Sequence, residues 1–159
     1  MKIIVSDSTT IIVLLNINSM DILTNVFDEV YVPSKVYDEV MMEKDTILEK
    51  TFFVKKEIRD KELYKLLRKN LGAGESEAIT LAKELELSLI IDEKKGRKIA
   101  LNLGVNITGF IGILILNYKK QLLSSSESLE VFNRAKEAGF RAGKNLEQQF
   151  VDIVSKRND

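Results

Sequence analysis

Cysteine and histidine are both missing from these 159 residues. Without cysteine there is no disulfide framework and no thiol chemistry. Without histidine, Ser-His-Asp and Cys-His catalysis, HExxH metalloproteases and ordinary zinc sites are excluded. Any catalysis must rest on carboxylates, hydroxyls, Lys/Arg or a hard metal ion. Long apolar runs are also missing. The longest, residues 11–15 and 113–116, fall far short of the ~20 residues a membrane span needs. The opening MKIIVSD holds no apolar region long enough for a signal peptide. The expectation is therefore a cytoplasmic protein with no membrane partner. No Gly-x-Gly-x-x-Gly or P-loop occurs, since GAGE at 72–75 lacks the Lys-Ser/Thr end. Net charge is zero, with 24 basic residues against 24 acidic.

What remains is about one domain's length of chain. At 45% hydrophobic and 30% charged, it is globular in composition. The charges are unevenly placed. Residues 1–40 hold two basic residues, Lys2 and Lys35, against six acidic. Lys94, Lys95, Arg97 and Lys98 then crowd into five positions. An acidic focus beside basic segments suits a site that holds cations and meets an anionic polymer. A solvated helix face accounts for any one of these runs taken singly.

Hydrophobic patterning predicts strands at 2–5, 30–32, 52–54, 87–91 and 105–107, with Pro33 stopping the second. Helices are predicted at 8–16, 21–27, from Pro33-Ser34 through Met41, and at 60–70, 75–85 and 94–103. Others follow the TGFIG turn to about Tyr118 and cover 127–138 and 144–156. LGAG (71–74) and residues 124–126 read as breaks. Strands alternating with helices predict βαβ units and a mostly parallel sheet covered on both faces, a three-layer α/β/α fold. No repeat or linker divides the chain; residues 1–123 read as the main domain and 124–159 as a helical extension packed on it.

Open parallel sheets place their chemistry beyond the carboxyl ends of the strands. Asp7 and Asp92 each follow a buried apolar strand. An acid there is costly unless solvated, paired or bound to a cation. On the helical wheel Glu39 lies about 60° from Val36 and borders the buried stripe, while Asp38, about 200° away, faces water. Glu75 shares the stripe of Ala78, Ile79 and Ala82; Glu77, about 200° round from it, is expected to face solvent. An acid in a first helical turn is also favoured by the helix dipole, which gives Glu75 a purely structural alternative. Clustered carboxylates repel one another, and a divalent cation relieves that repulsion. With no His or Cys, Mg2+ or Mn2+ is the fitting ion, able to activate water against a phosphodiester. Arg97 reads as a clamp for phosphate or as a salt-bridge partner of an acid. TGFIG (108–112) reads as a tight turn that allows close packing. Asp7-Ser8-Thr9 admits an aspartyl-phosphate reading, but Thr9 stands where that chemistry wants a second acid.

IIVSDST, YVPSKVYDEV, GAGESEAITLA, LSLIIDEKKGRKIA and VNITGFIGIL, in this order, make the chain resemble a PIN domain. The resemblance runs from residue 2 to about 122 and is strongest to the branch with GE-x-EAI and ID-x-x-x-GR motifs, related to VapC-type toxin ribonucleases. It implies a parallel five-stranded sheet in order 3-2-1-4-5 and metal-dependent endonuclease activity, usually on RNA. Carried onto this chain, it implies Asp7, Glu39, Glu75 and Asp92 as metal-binding and catalytic acids, with Glu77 and Glu93 as alternates. It matches Ser8 or Thr9 to the small hydroxyl residue near the first acid. It also implies a homodimer and a small antitoxin-like partner.

Overall fold

The computed structural model describes residues 1–44 and 51–155. Its centre is one sheet of five parallel strands in the order β3-β2-β1-β4-β5, as the resemblance implied. The strands are β1 (Ile3–Ser6), β2 (Glu29–Pro33), β3 (Phe53–Lys56), β4 (Leu89–Ile90) and β5 (Ile107–Thr108). The helices are α1 (Ser8–Asn16), α2 (Asp21–Thr24), α3 (Ser34–Lys44), α4 (Lys61–Leu67) and α5 (Ala73–Leu85), followed by α6 (Lys94–Asn102), α7 (Phe110–Lys119), α8 (Ser125–Glu137) and α9 (Lys144–Ser155).

β1 is central and lies between β2 and β4, with Val5 in register with both Tyr31 and Leu89. A strand with neighbours on both edges and helices on both faces has no wet side. That is why Ile4, Val5, Val30, Val32, Leu89 and Ile90 form a continuous apolar layer rather than an alternating one.

Several boundaries differ from the sequence expectation. The second glycine of LGAG does not break the chain: Gly72 is the N-cap, and Ala73 and Gly74 form the first turn of α5. Residues 124–126 are a helix start, because Ser124 and Glu127 exchange hydrogen bonds in a capping box (3.1 and 2.8 Å). Pro33 ends β2 from within. The fifth strand begins at Ile107, since the Val105 amide turns back to the Ala100 carbonyl (3.0 Å). Residue 156 of the last expected helix, and the end of the 124–159 extension, lie outside the described residues.

α8 and α9 join the core through phenylalanines. Phe132 stacks on Phe150 at 4.8 Å between ring centroids, and Phe140 lies 4.8 Å from Phe110 of α7 and 6.5 Å from Phe132. Phe110, Phe132 and Phe150 are fully buried. Such pairs add about 0.5–1.5 kcal/mol each beyond their area burial. They fix the α8–α9 loop against the start of α7, next to the carboxyl ends of β4 and β5.

Candidate functional site

β1 delivers Asp7 to the carboxyl rim of the sheet. The residue is only 4% exposed and stands at the N-cap position of α1, yet makes no capping bond there. Burial pushes its carboxyl up to about 6, the carboxylates of Glu39, Asp92 and Glu93 add to the effect, and the Ser8 amide opposes it. An acid held this way keeps its proton into mildly acidic pH, where an ordinary aspartate has lost it.

α5 brings Glu75 to the same rim. Its Oε2 is sealed from solvent and faces no donor. The nearest carboxylate is that of Glu93: a Cβ on Gly96 would lie 3.2 Å from Glu75 Oε2 and 3.3 Å from Glu93 Oε2. Two carboxylates can bond only if one keeps a proton. Burial, then this hydrogen bond, push Glu75 up to about 7, with the charge of Asp7 contributing and the Gly72 amide opposing. Glu93 suffers some burial, but the Gly96 and Lys95 amides, at 2.6 and 3.0 Å, outweigh it and leave Glu93 below its ordinary value. Glu93 is thus the N-cap of α6.

β4 leads to Asp92, which the protein already holds. Thr10 Oγ1 donates to it at 2.7 Å and the Phe110 amide at 3.1 and 3.3 Å. The N-cap of α7 is Gly109, which has no side-chain oxygen to satisfy that amide, and Asp92 supplies one from the loop that follows β4. Burial still keeps Asp92 above its ordinary value; Thr10, Phe110 and Arg97 pull it back. Arg97 Nη1 donates to the Ile91 carbonyl at 2.6 Å. Gly109 is required by close approach, since a Cβ there would sit 2.5 Å from Asp92 Oδ1 and 3.0 Å from Arg97 Nη1.

Glu39 and Glu77 depart from the helical-wheel reading. Glu39 is exposed rather than edging the core, although its carboxylate leans over α5 so closely that a Cβ on Gly74 would collide with it. Asp38 is exposed as expected and pairs with Lys55 at 3.7 Å. Glu77 is buried, not solvent-facing, and accepts from the Lys35 amide at 2.8 Å. The residue preceding α3 is Pro33, which has no side-chain acceptor, so Glu77 caps α3 from outside it. The wheel misjudged Glu77 because α5 is buried on nearly every face, from Gly74 and Ser76 through Ala82.

Ser8 and Thr9 are half-buried and line a cavity of about 480 Å3, together with Asp92, Glu93 and Arg141. Thr10 and Arg141 escaped the sequence reading. Thr10 had a signal, lying one helical turn beyond Asp7 on the same face. Arg141 had none, because the phenylalanine cluster alone brings it to the rim.

The donor set, all oxygen, suits a hard divalent ion in kind, and Glu75 Oε2 is a buried oxygen that meets no N–H donor, only the Glu93 carboxylate. Among the described residues, however, no group of three or more acids stands at metal-holding spacing. No helix among them is long and apolar enough to cross a membrane.

No curated protein matches this chain. Among solved structures it is similar to a PilT N-terminus domain protein from the archaeon Sulfolobus solfataricus, at 17% identity and a TM-score of 0.46 over 73% of this chain and 93% of that one. A family model described as PIN domain, a nuclease-type fold, matches residues 3–156. That span includes all five strands and every acid of the carboxyl rim, and the chain belongs to the PIN-domain family.

Proposed function

We propose that the chain is a Mg2+- or Mn2+-dependent endoribonuclease that hydrolyses phosphodiester bonds at the carboxyl rim. The observation that carries this reading is Asp7: a buried acid at the end of the central strand, lacking a capping bond and facing three other carboxylates. Folding alone gains nothing from that arrangement, whereas a cation makes it favourable. On this reading residues 1–123 form the nuclease unit and 124–159 a helical extension on it.

Asp7, Glu39 and Glu75 would hold the ion, with Asp92 beside them. When bound, a divalent ion makes water a better nucleophile and offsets charge gathering on the phosphate. The protein supplies the rest. Glu75 and Glu93 face each other as a pair of carboxylates, and Glu75 would give up the proton they share on holding the ion. Thr10 and the Phe110 amide fix Asp92, so that it need not reorganise. Arg97, anchored on the Ile91 carbonyl, places a cation where a phosphate would pass. Ser8 and Thr9 offer hydroxyls to the adjoining groove, which Asp92, Glu93 and Arg141 also line.

The resemblance to VapC-type ribonucleases extends the proposal to a cytoplasmic homodimer restrained by a small antitoxin-like protein. Size-exclusion chromatography of the purified chain, alone and co-expressed with the product of any short adjacent reading frame, tests that extension.

A second reading has its own observation. With Asp92 and Glu93 committed to protein donors and no three acids at metal-holding spacing, the rim also suits an inactive module that binds nucleic acid or protein. Melting temperature against Mg2+ or Mn2+ separates the two. At about a hundred times its dissociation constant, a bound ion stabilises by about 2.7 kcal/mol, or roughly 5–10 °C for a chain of this size. The nuclease reading expects that rise, together with Mn2+-dependent cleavage of mixed RNA that Asp7→Asn abolishes. A flat titration, or equal cleavage by wild type and Asp7→Asn, would refute it.

A further inference from the structure

The α8–α9 loop divides the rim into two grooves that share Asp92, Phe140 and Arg141. Their chemistry differs. The groove on the α1 side, about 480 Å3, carries Glu43, Asp92 and Glu93 against the single cation Arg141. The groove on the α7 side, about 580 Å3, carries Lys94, Arg97 and Arg141 against the single acid Asp92. Its remaining wall is aliphatic, with Ile111, Ile115 and Leu146. Leu146 is 47% exposed and presents an apolar side chain on the same groove as the cations.

Two of the three cations are uncommitted. Arg97 is spent on the Ile91 carbonyl and Asp92. The side chains of Lys94 and Arg141 have no hydrogen bond or ion pair among the described residues, and both are exposed. Phe140 is only 8% exposed and packs on Phe110, so the residue next to Arg141 is fixed rather than trailing in solvent. An apolar wall beside free cations, opening onto Asp92, is complementary to a unit with an anionic edge and an apolar face. A nucleotide within a strand is such a unit.

We propose that the groove between α6, the start of α7 and the α8–α9 loop is a nucleotide subsite for single-stranded RNA, in which Lys94 and Arg141 hold phosphate and Leu146, with the half-buried Ile115, covers a base. The proposal rests on the nuclease reading and deepens it. The strand approaches over the basic groove, the reacting phosphate lies where the two grooves meet, and the acidic groove repels further phosphates. The aliphatic wall tolerates any base, so recognition there is of a nucleotide and not of a sequence.

The test is fluorescence anisotropy with a labelled single-stranded RNA of about a dozen nucleotides, in chelator, so that metal-dependent cleavage cannot consume it. Arg141→Glu and Lys94→Glu should each weaken binding at least about tenfold, and losing one phosphate contact should flatten the slope of log K against log salt by about 0.7. Lys65→Glu, the same charge change on the exposed face of α4 outside the groove, should stay within about twofold. Leu146→Asp should weaken a base-bearing strand more than an abasic one. All these side chains are exposed, and unchanged melting temperatures verify folding. Equal losses in Arg141→Glu and Lys65→Glu, or no Arg141-dependent binding at all, overturn the subsite even if the protein cleaves RNA. Arg141-dependent binding without Mn2+-dependent cleavage leaves the subsite standing and removes the nuclease reading instead.

Discussion

The two ends of this parallel sheet treat charge in opposite ways. At the amino end, where Lys2 and Lys120 stand together as exposed cations, other polar groups find partners. The Lys2 amide donates to Asp28 at 2.6 Å, and Lys83 Nζ donates to the Leu103 carbonyl at 2.8 Å. At the carboxyl end, Asp7 lies buried without a cap bond and Glu75 Oε2 without a donor, with Glu39 and Glu93 close by. One chain under one set of folding constraints satisfies its polar groups at one end and concentrates unrelieved negative charge at the other. The lesson is that the carboxyl rim is shaped by something besides stability, and a cation is the simplest thing that would relieve it.

The sharpest way to break that contrast is to neutralise Asp7. Asp7→Asn should lower Mn2+-dependent RNA cleavage by at least about a hundredfold, as expected when a charge that holds the ion is lost. Asp28→Asn, the matching change at the amino end, should leave cleavage unaltered.

Next in size is the response to pH. Asp7 rises from an ordinary 3.8 to about 6 on folding. Between those values the native state binds more protons than the unfolded chain, so stability falls as pH rises. The Asp7 contribution is greatest below about pH 4 and is lost as pH rises through about 6, an effect of about 3 kcal/mol. Urea melts in chelator at pH 5 and pH 8 should show about half of that decline from Asp7, added to the one that Glu75, raised to about 7, brings over the same interval; Asp7→Asn should lose the Asp7 share alone. Saturating Mn2+ should restore wild type at pH 8.

Glu77 sharpens the contrast from within the rim. Glu77→Ala should cost about 1–2 kcal/mol by leaving the Lys35 amide at the start of α3 uncapped. It should leave the Mn2+-induced rise in melting temperature intact. Glu75→Gln should do the reverse: little loss of stability in chelator, and a diminished Mn2+ response.

The smallest effect is a gain. Gly74→Ala adds a methyl where the end of the flexible, exposed Glu39 side chain now lies. In a helical first turn the change should stabilise by about 0.4–1 kcal/mol through the unfolded chain, while displacing the Glu39 carboxylate and weakening the ion. Thermal melts with and without Mn2+ would show the two effects with opposite sign.

The fold was legible because the three inner strands, β2, β1 and β4, announce themselves through buried Ile, Val and Leu, and alternation with helices leaves little choice but a parallel sheet; the edge strands β3 and β5 carry a weaker signal. Asp7 and Asp92 were legible for the same reason, since an acid directly after such a strand has one place to go. What periodicity could not show was which helices are surrounded. The wheel angle of Glu77 is as computed, but solvent lies on the far side of α5 only if nothing packs there, and α3 does. The separation of Asp92 and Glu93, adjacent in sequence, was equally hidden. One faces Thr10 and Phe110 and the other caps α6, a choice made by the backbone at the end of β4.

Phe110 has a consequence for anyone shortening this chain. Its amide steadies Asp92 while its ring carries Phe140, so a single residue rivets the C-terminal hairpin to the acid edge. Cutting away the last two helices would strip the cover from that ring and loosen the carboxylate behind it. A trimmed variant that loses activity would then report a shaken scaffold, not a missing catalytic group.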